Sequence, residues 1–145
     1  MKFRGAILMP YVRIGGRQTA RPPILAKVQT DGSWKPKLHR IAAILTKTDQ
    51  SIRTEVIEIR AQNSTETEWA SFAMGLHLAL RNGADSVGVE NDNLDVIHSL
   101  MFDRKPLKQA YARHYRNEIF HIANKAEWAG VRWIPREINR AGELF

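Results

Sequence analysis

Four acidic residues occupy one kind of position along this chain, at or near the ends of predicted secondary-structure elements. Asp31 closes a predicted strand, Glu68 lies in the first turn of a predicted helix, Asp92 follows a later strand, and Glu143 lies beyond the last strand. Adjacent strands that end at the same edge of a sheet bring such side chains together. Crowded carboxylates repel one another unless hard divalent cations, which prefer oxygen ligands, bind between them. The four acids therefore predict a metal centre.

Each acid also has a purely structural interpretation. Asp31 precedes a glycine, as turn residues often do. Glu68 follows Thr65 by three residues, the spacing of a capping box. Asp92 has the position of an N-cap for the next helix, and Glu143 has that of a solvated residue near the end of the sequence. Any one of these interpretations is reasonable alone, but the presence of four acids at compatible element ends favours the metal centre.

The helix predicted over 64–82 is the clearest element in the sequence. Glu68 falls in the same sector of this helix as Phe72, Gly75 and Ala79, so its carboxylate points toward the body of the protein. Burying an ionised acid costs several kcal/mol unless a cation or hydrogen-bond donors meet it. One apolar stripe recurs at helical spacing and consists of Trp69, Phe72, Ala73, Leu76, Ala79 and Leu80.

The other predicted elements surround this helix in an α/β arrangement. Three strands in succession predict an antiparallel meander, and a strand reached through a helix predicts a parallel neighbour. We therefore expect a mixed five-stranded sheet, three antiparallel strands followed by two parallel ones, flanked by helices. The predicted strands span 24–30, 40–47, 52–60, 86–91 and 131–134, and the predicted helices span 64–82, 94–101 and 106–126.

Charge and length point to one domain with a polyanionic partner. The 145 residues include 22 Lys plus Arg against 15 Asp plus Glu, a formal net charge of +7, which favours nucleic acid. We predict a basic N-terminal extension over 1–23, either a phosphate-contacting arm or a solvated tail, and one domain over 24–145. Residues 3–9 and 11–14 are candidates for short strands in the extension. The extension contains five basic residues and no acid: Lys2, Arg4, Arg13, Arg17 and Arg21.

Several classes of protein are excluded by composition. The chain has no cysteine, which excludes disulfides, thiol chemistry and cysteine-ligated metals. The apolar run over 5–9 is too short for a signal-peptide core, and no run approaches the length of a membrane span. We therefore expect a soluble protein of the cytoplasm with no membrane partner.

Most of the chain, from residue 24 onward, resembles a type 1 ribonuclease H. The resemblance implies a ribonuclease H-like fold that binds two Mg²⁺ ions, with Mn²⁺ as an alternative, and hydrolyses the RNA strand of an RNA/DNA hybrid. It assigns both the catalytic and the metal-binding roles to Asp31, Glu68, Asp92 and Glu143. In the family the last carboxylate is usually Asp, and here only two residues follow Glu143, too few for a final helix. The motifs that carry the resemblance are Asp31-Gly32-Ser33, Glu68 with Phe72 and Gly75-Leu76, Val89-Glu90-Asn91-Asp92-Asn93, and Trp133-Ile134-Pro135-Arg136-Glu137-Ile138-Asn139.

The resemblance also implies how the site would work. Two ions about 4 Å apart serve the attacking and leaving oxygens of a phosphodiester. Asp31 is expected to bridge the ions, with Glu68 and Asp92 at one ion and Glu143 at the other. Selectivity for the hybrid is expected from contacts to 2′-hydroxyls across a wide minor groove. The residues expected to make these substrate contacts are Ser33, Asn63, Ser64, Thr65 and Asn93.

Two other functions remain open from the sequence. One is a nucleic-acid-binding module on the same fold with weak or no turnover, which the Glu143 substitution favours. The other is a different nuclease of the superfamily, such as an exonuclease or an integrase. The first strand has Asp31-Gly32-Ser33 rather than the Asp-x-Glu of DEDD exonucleases, which makes an exonuclease less favoured.

Overall fold

The computed structural model of the protein describes residues 8–145. The strand candidate over 3–9 therefore lies largely outside the described residues. The strands are β1 (Val12–Gly15), β2 (Ala26–Lys35), β3 (Leu38–Thr46), β4 (Ile52–Glu58), β5 (Ser86–Asn91) and β6 (Trp128–Trp133). The α-helices are α1 (Ser64–Arg81), α2 (Leu94–Met101) and α3 (Ala110–Ala123), and two 3₁₀ helices follow at Arg136–Ile138 and Arg140–Leu144.

The strands form one mixed sheet in the order β1-β6-β5-β2-β3-β4. Strands β2, β3 and β4 make the predicted antiparallel meander, β5 lies parallel to β2, and β6 lies parallel to β5. The α/β architecture and this strand order are thus confirmed. The sheet has six strands rather than five, because the short segment predicted over 11–14 forms β1 and pairs antiparallel with β6.

The first hairpin is longer than predicted. Strand β2 continues past the expected end at residue 30 as far as Lys35, which pairs with Leu38 across a tight turn. Asp31 therefore lies inside the strand, opposite Ala42, and the turn interpretation of Asp31 is wrong. In the hairpin, the indole of Trp34 stacks on the imidazole of His39 with ring centroids 5.1 Å apart. Cross-strand pairs of this kind stabilise a hairpin.

Helix α3 begins at Ala110 rather than at residue 106, and it ends at Ala123 rather than at 126. The guanidinium of Arg113 donates to the carbonyl oxygens of Leu107 and Lys108 at 2.7 and 3.0 Å, which holds that segment outside the helix. Within the described residues, no helix has the length and apolar character needed to cross a membrane.

The core lies between one face of the sheet and helices α1 and α3. Side chains such as Val28, Leu45, Phe72 and Ile119 are fully buried there. Helix α1 crosses β2 at Gly75, where a Cβ atom would lie 2.3 Å from Cγ2 of Thr30. A side chain at this position would push the helix away from the strand, so Gly75 sets the depth at which α1 packs on the sheet.

Candidate metal centre

Three of the four predicted acids come together. Asp31 projects from the middle of β2, Glu68 from the second turn of α1, and Asp92 from the residue that follows β5. One carboxylate oxygen from each of the three lies within 4.8 Å of the other two. Residues separated by up to 61 positions in the sequence thus meet at the end of the parallel strand pair, where ligand sites of open sheets are found.

Gly32 positions the first two acids. Its amide N–H donates to Oε1 of Glu68 at 2.5 Å and to Oδ1 of Asp31 at 2.9 Å. A Cβ atom at Gly32 would lie only 2.4 Å from Oγ1 of Thr67, so the absence of a side chain lets the first turns of α1 approach β2. This close approach places the Glu68 carboxylate beside Asp31.

The N-terminus of α1 is capped by Asn63 and not by Thr65. Oδ1 of Asn63 accepts from the Glu66 amide at 2.9 Å, and Oε1 of Glu66 accepts from the Gln62 amide, also at 2.9 Å. The capping interpretation of Glu68 is therefore wrong, because the helix begins two residues earlier than Thr65 as N-cap would require. Glu68 is left free to face the other two acids.

Asp92 is not a helix cap either. Asn93 is the N-cap of α2, and its Oδ1 accepts from the Val96 amide at 3.1 Å. Oδ2 of Asp92 accepts instead from Nδ2 of Asn139 at 3.3 Å, and its backbone carbonyl accepts from Nε1 of Trp133 at 3.0 Å. These contacts come from the last residue of β6 and from the segment that follows this strand, so both orient Asp92.

Asn139 was not predicted as a site residue, although it belongs to the motif that begins at Trp133. Its Nδ2 also donates to the backbone carbonyl of Thr30 at 2.9 Å, and its Oδ1 accepts from the Ala141 amide at 3.2 Å. The side chain is only 5% exposed. A buried amide that joins the strand before Asp31 to the Asp92 carboxylate is a positioning group, and no spacing in the sequence indicates that role.

Burial and mutual repulsion shape the electrostatics of the site. Burial, followed by the negative charge of Asp31, raises the pKa of Glu68 from 4.5 to about 9, and Asp92 adds a smaller contribution in the same direction. Burial and the charge of Asp31 also raise the pKa of Asp92, against the hydrogen bond from Asn139 and the positive charge of Arg136. The carboxylates are held together at a free-energy cost that a cation would relieve.

The donor set fits a hard divalent cation. Oε2 of Glu68 is buried and has no hydrogen-bond partner among residues 8–145. Within the same residues, no ion pair joins Asp31, Glu68 or Asp92 to a basic side chain. Carboxylate oxygens are among the hard oxygen ligands that Mg²⁺ and Mn²⁺ prefer. The orphaned oxygen and the three converging acids are therefore suited to such an ion.

Glu143 lies near the other three acids but outside their cluster. It is exposed, and it lines the cavity of about 510 Å³ that the other three acids also line. Glu143 lies within the short 3₁₀ helix Arg140–Leu144, and among the described residues no α-helix follows β6. This helix packs on the site through Gly142, where a Cβ atom would lie 2.8 Å from Oδ2 of Asp31. The role of Glu143 as a fourth ligand stays a prediction.

The predicted substrate-contacting residues divide into two groups. Ser33, Ser64 and Asn93 line the cavity together with the acids. Asn63 and Thr65 are not among the residues that line this cavity, and the Asn63 side chain is engaged as the helix cap. Exposed Arg136 also lines the cavity and was not predicted, although a cation is expected where a phosphate must approach an acidic site.

Comparisons with solved structures agree with this fold. The ribonuclease H1 of the archaeon Halobacterium salinarum NRC-1 superposes with a TM-score of 0.73 at 16% identity, over 80% of this chain and 89% of that one. The N-terminal ribonuclease H domain of a Mycobacterium tuberculosis protein, solved as a fusion with maltose-binding protein, gives 0.73 at 20% identity, over 82% and 88%. LC11 ribonuclease H1 in complex with an RNA/DNA hybrid gives 0.71 at 21% identity, over 82% and 92%.

At these identities the structural likeness establishes the fold. No curated protein sequence matches the chain. The family model described as reverse transcriptase-like matches residues 29–145, which include all four predicted acids. The chain therefore belongs to the reverse transcriptase-like family, within the ribonuclease H-like superfamily.

Proposed function

We propose that this protein is a metal-dependent endonuclease that hydrolyses the RNA strand of RNA/DNA hybrids. The observation that carries the proposal is the convergence of Asp31, Glu68 and Asp92 within 4.8 Å of one another. The net charge of +7 suits a polyanionic substrate. One structural neighbour, LC11 ribonuclease H1, was solved with an RNA/DNA hybrid.

The side chains of the site are proposed to have two roles, binding of the ions and orientation of the ligands. Asp31, Glu68 and Asp92 would hold the ions, and exposed Glu143 is proposed as a further ligand. When bound, two divalent cations activate a water and stabilise the departing 3′ oxygen. The Gly32 amide fixes the direction of the Glu68 carboxylate, and Nδ2 of Asn139 fixes that of Asp92.

Selectivity for the hybrid is assigned to the polar groups around the acids. Ser33, Ser64 and Asn93 line the cavity and are proposed to contact 2′-hydroxyls. Thr65 in the first turn of α1 and Asn63 at its N-cap are proposed to contact the substrate beside the cavity. Exposed Arg136 would meet a phosphate of the approaching strand.

The test is cleavage of a labelled RNA/DNA duplex with Mg²⁺, Mn²⁺ or chelator in parallel. We expect cleavage of the RNA strand with either metal and none with chelator. Asp92→Asn keeps the shape of the side chain and removes its charge, and it should abolish cleavage while the protein stays folded. The matched control is Asp95→Asn, the same change at an exposed acid in the first turn of α2. Full turnover by Asp92→Asn would contradict the proposal.

A second candidate function is a nucleic-acid-binding module without turnover. The position of Glu143 outside the three-acid cluster favours it. This candidate predicts that the wild-type protein shifts the hybrid in a gel but leaves it intact with both metals. Parallel reactions with duplex DNA and single strands distinguish a third case, another nuclease of the superfamily, by which substrate is cut.

A further inference from the structure

A row of polar side chains, two of them buried, crosses the sheet one step away from the acids. Gln29 on β2 pairs with Glu90 on β5, and Glu90 pairs with Arg132 on β6. Because side chains alternate along a strand, Gln29 lies on the same face of the sheet as Asp31, two residues later. Gln29 and Glu90 are 5% and 1% exposed. The row thus belongs to the sheet interior next to the site, and none of its members is in the three-acid cluster.

Glu90 is the centre of this row and is fully engaged. Its Oε2 accepts from the Tyr11 hydroxyl at 2.9 Å, from Nε of Arg132 at 2.7 Å and from Nη2 of the same side chain. Its Oε1 accepts from Nε2 of Gln29 at 2.8 Å. The Tyr11 ring lies over Gly88 and against the Arg132 guanidinium, 4.2 Å from the ring centroid. Together these hydrogen bonds hold the Glu90 carboxylate in one orientation.

Gln29 connects the row to the end of the chain. While its Nε2 donates to Glu90, its Oε1 accepts from the Arg140 amide at 3.0 Å. Arg140 is the first residue of the 3₁₀ helix that carries Gly142 and Glu143. Gly142 in turn packs against Oδ2 of Asp31. One chain of contacts thus runs from Glu90 through Gln29 and the 3₁₀ helix to the carboxylate of Asp31.

We infer that Gln29 is a positioning residue, which holds the C-terminal 3₁₀ helix against the metal centre while Glu90 fixes the orientation of its amide. Tyr11 extends this control to the N-terminal segment through its bond to Glu90. The inference rests on the proposed function only in that the three acids bind a divalent cation. The largely buried ion pair of Glu90 with Arg132 is not explained by stability, because such a pair adds little compared with apolar packing. Hydrogen-bonded groups behind metal ligands, in contrast, commonly tune the affinity for the metal.

The test compares metal binding with stability in Gln29→Met, which keeps the length of the side chain. It removes all three of its hydrogen bonds, those to Glu90 and to the Ile138 carbonyl and the one from the Arg140 amide. We expect titration calorimetry with Mn²⁺ to give about tenfold weaker binding than for the wild type. Hydrogen exchange should accelerate at the Arg140 and Ala141 amides. The matched control is Ser99→Ala at a buried residue away from the site, which removes one hydrogen bond, from Ser99 Oγ to the Asp95 carbonyl at 2.7 Å. This variant should lose stability and keep its affinity for Mn²⁺.

The inference is overturned if Gln29→Met binds Mn²⁺ as Ser99→Ala does and its C-terminal amides exchange at the wild-type rate. If Gln29→Met does not fold, Tyr11→Phe removes only the hydroxyl that donates to Glu90 and should change both readouts in the same direction; unchanged readouts in Tyr11→Phe also overturn the inference. Neither readout requires cleavage. A protein that binds Mn²⁺ but cuts no hybrid would contradict the proposed function and leave this test intact.

Discussion

Glu68 is an acidic residue in an unfavourable environment, buried next to two other acids of the site. Glu68 is 6% exposed, and its carboxylate lies beside two other acids and has an oxygen without a partner among the described residues. A pKa of about 9 means that without metal the group is protonated at neutral pH. Binding of a divalent cation at this group therefore releases a proton, so the affinity for metal should rise with pH up to about 9.

Glu68→Gln should change how the stability of the metal-free protein depends on pH. Between the ordinary pKa of 4.5 and about 9, the folded state binds more protons at Glu68 than the unfolded state does, so wild-type stability falls as the pH rises. The variant has no titrating carboxyl group at this position and lacks this pH dependence. The free energy of unfolding is to be measured in urea with chelator present. The difference between the variant and the wild type should grow in favour of the variant from pH 5 to pH 9, by at least about 1.4 kcal/mol, the equivalent of one pKa unit.

If the difference in the free energy of unfolding between the two proteins stays constant over that pH range, this expectation is wrong. Asp92 keeps its raised pKa in both proteins and cancels in the comparison. The same variant should bind Mn²⁺ more weakly, because it lacks one anionic ligand. A stabilised protein with a weakened site is the expected result where function requires an unfavourable cluster.

At the scale of elements, the contact between α1 and β2 decides the distance from Glu68 to Asp31. Two glycines make that contact, Gly32 on the strand and Gly75 on the helix. At Gly75 the nearest atom is Cγ2 of Thr30, whose hydroxyl oxygen accepts from Nδ2 of Asn91 at 2.9 Å. Thr30 is fully buried and held by this bond, so it cannot easily move aside for a larger neighbour.

Gly75→Ala should weaken metal binding and lower stability. Alanine gains helix propensity of about 1 kcal/mol over glycine, but overpacking of a buried site costs about 1–3 kcal/mol. The helix is expected to move away from β2 and to carry Glu68 with it. Chemical denaturation and Mn²⁺ titration measure the two effects.

Gly83→Ala is the control for this change. Gly83 has a φ of +83°, with open space around it, so alanine there strains the backbone at a cost of about 1–2 kcal/mol without touching the helix contact. Its affinity for Mn²⁺ should be unchanged. Equal metal binding by the Gly75 and Gly83 variants would contradict the role given to the close approach.

At the scale of the molecule, part of the basic N-terminal extension belongs to the sheet. Residues 12–15 form the edge strand β1 on β6, and Tyr11 covers Gly88 and bonds Glu90. Burial and the charge of Glu90 raise the pKa of Tyr11 above its usual range, as expected of a half-buried phenol beside a carboxylate. The division of the chain at residue 24 stays a prediction, and the contacts of β1 make it testable.

Deletion of residues 1–23 should destabilise the protein substantially. It exposes the edge of β6 and removes the Tyr11 ring, whose burial contributes about 1.5–3 kcal/mol, and a hydrogen bond to a charged acceptor worth about 1.5–3 kcal/mol. Thermal unfolding of the truncated and full chains measures the difference. Tyr11→Phe, which keeps the ring, should lose only the contribution of the hydrogen bond to Glu90. An unchanged unfolding midpoint after truncation would mean that the extension only decorates the domain.

Much of the fold could be predicted from local patterns. Helix α1, the meander and the parallel strand β5 follow from apolar spacing and the order of elements, and these predictions are confirmed. The boundaries were less predictable, because caps depend on which polar side chain meets a free amide. Asn63 rather than Thr65 caps α1, and Asn93 rather than Asp92 caps α2. Gln29 carries no pattern that distinguishes it from surface amides, and Asn139, although it belongs to the motif that begins at Trp133, has no spacing that indicates its contacts.

By itself, the sequence determined the kinds of groups available, since acids at the right elements, glycines on helix and strand, and an excess of positive charge are all properties of composition and spacing. Only the tertiary structure decided which acids share a site, because Asp31, Glu68 and Asp92 lie on three separate elements whose approach depends on packing at Gly32 and Gly75. The place of Glu143 at the rim, and the buried bonds that hold its helix there, likewise come from contacts between residues more than a hundred positions apart, which no local pattern encodes.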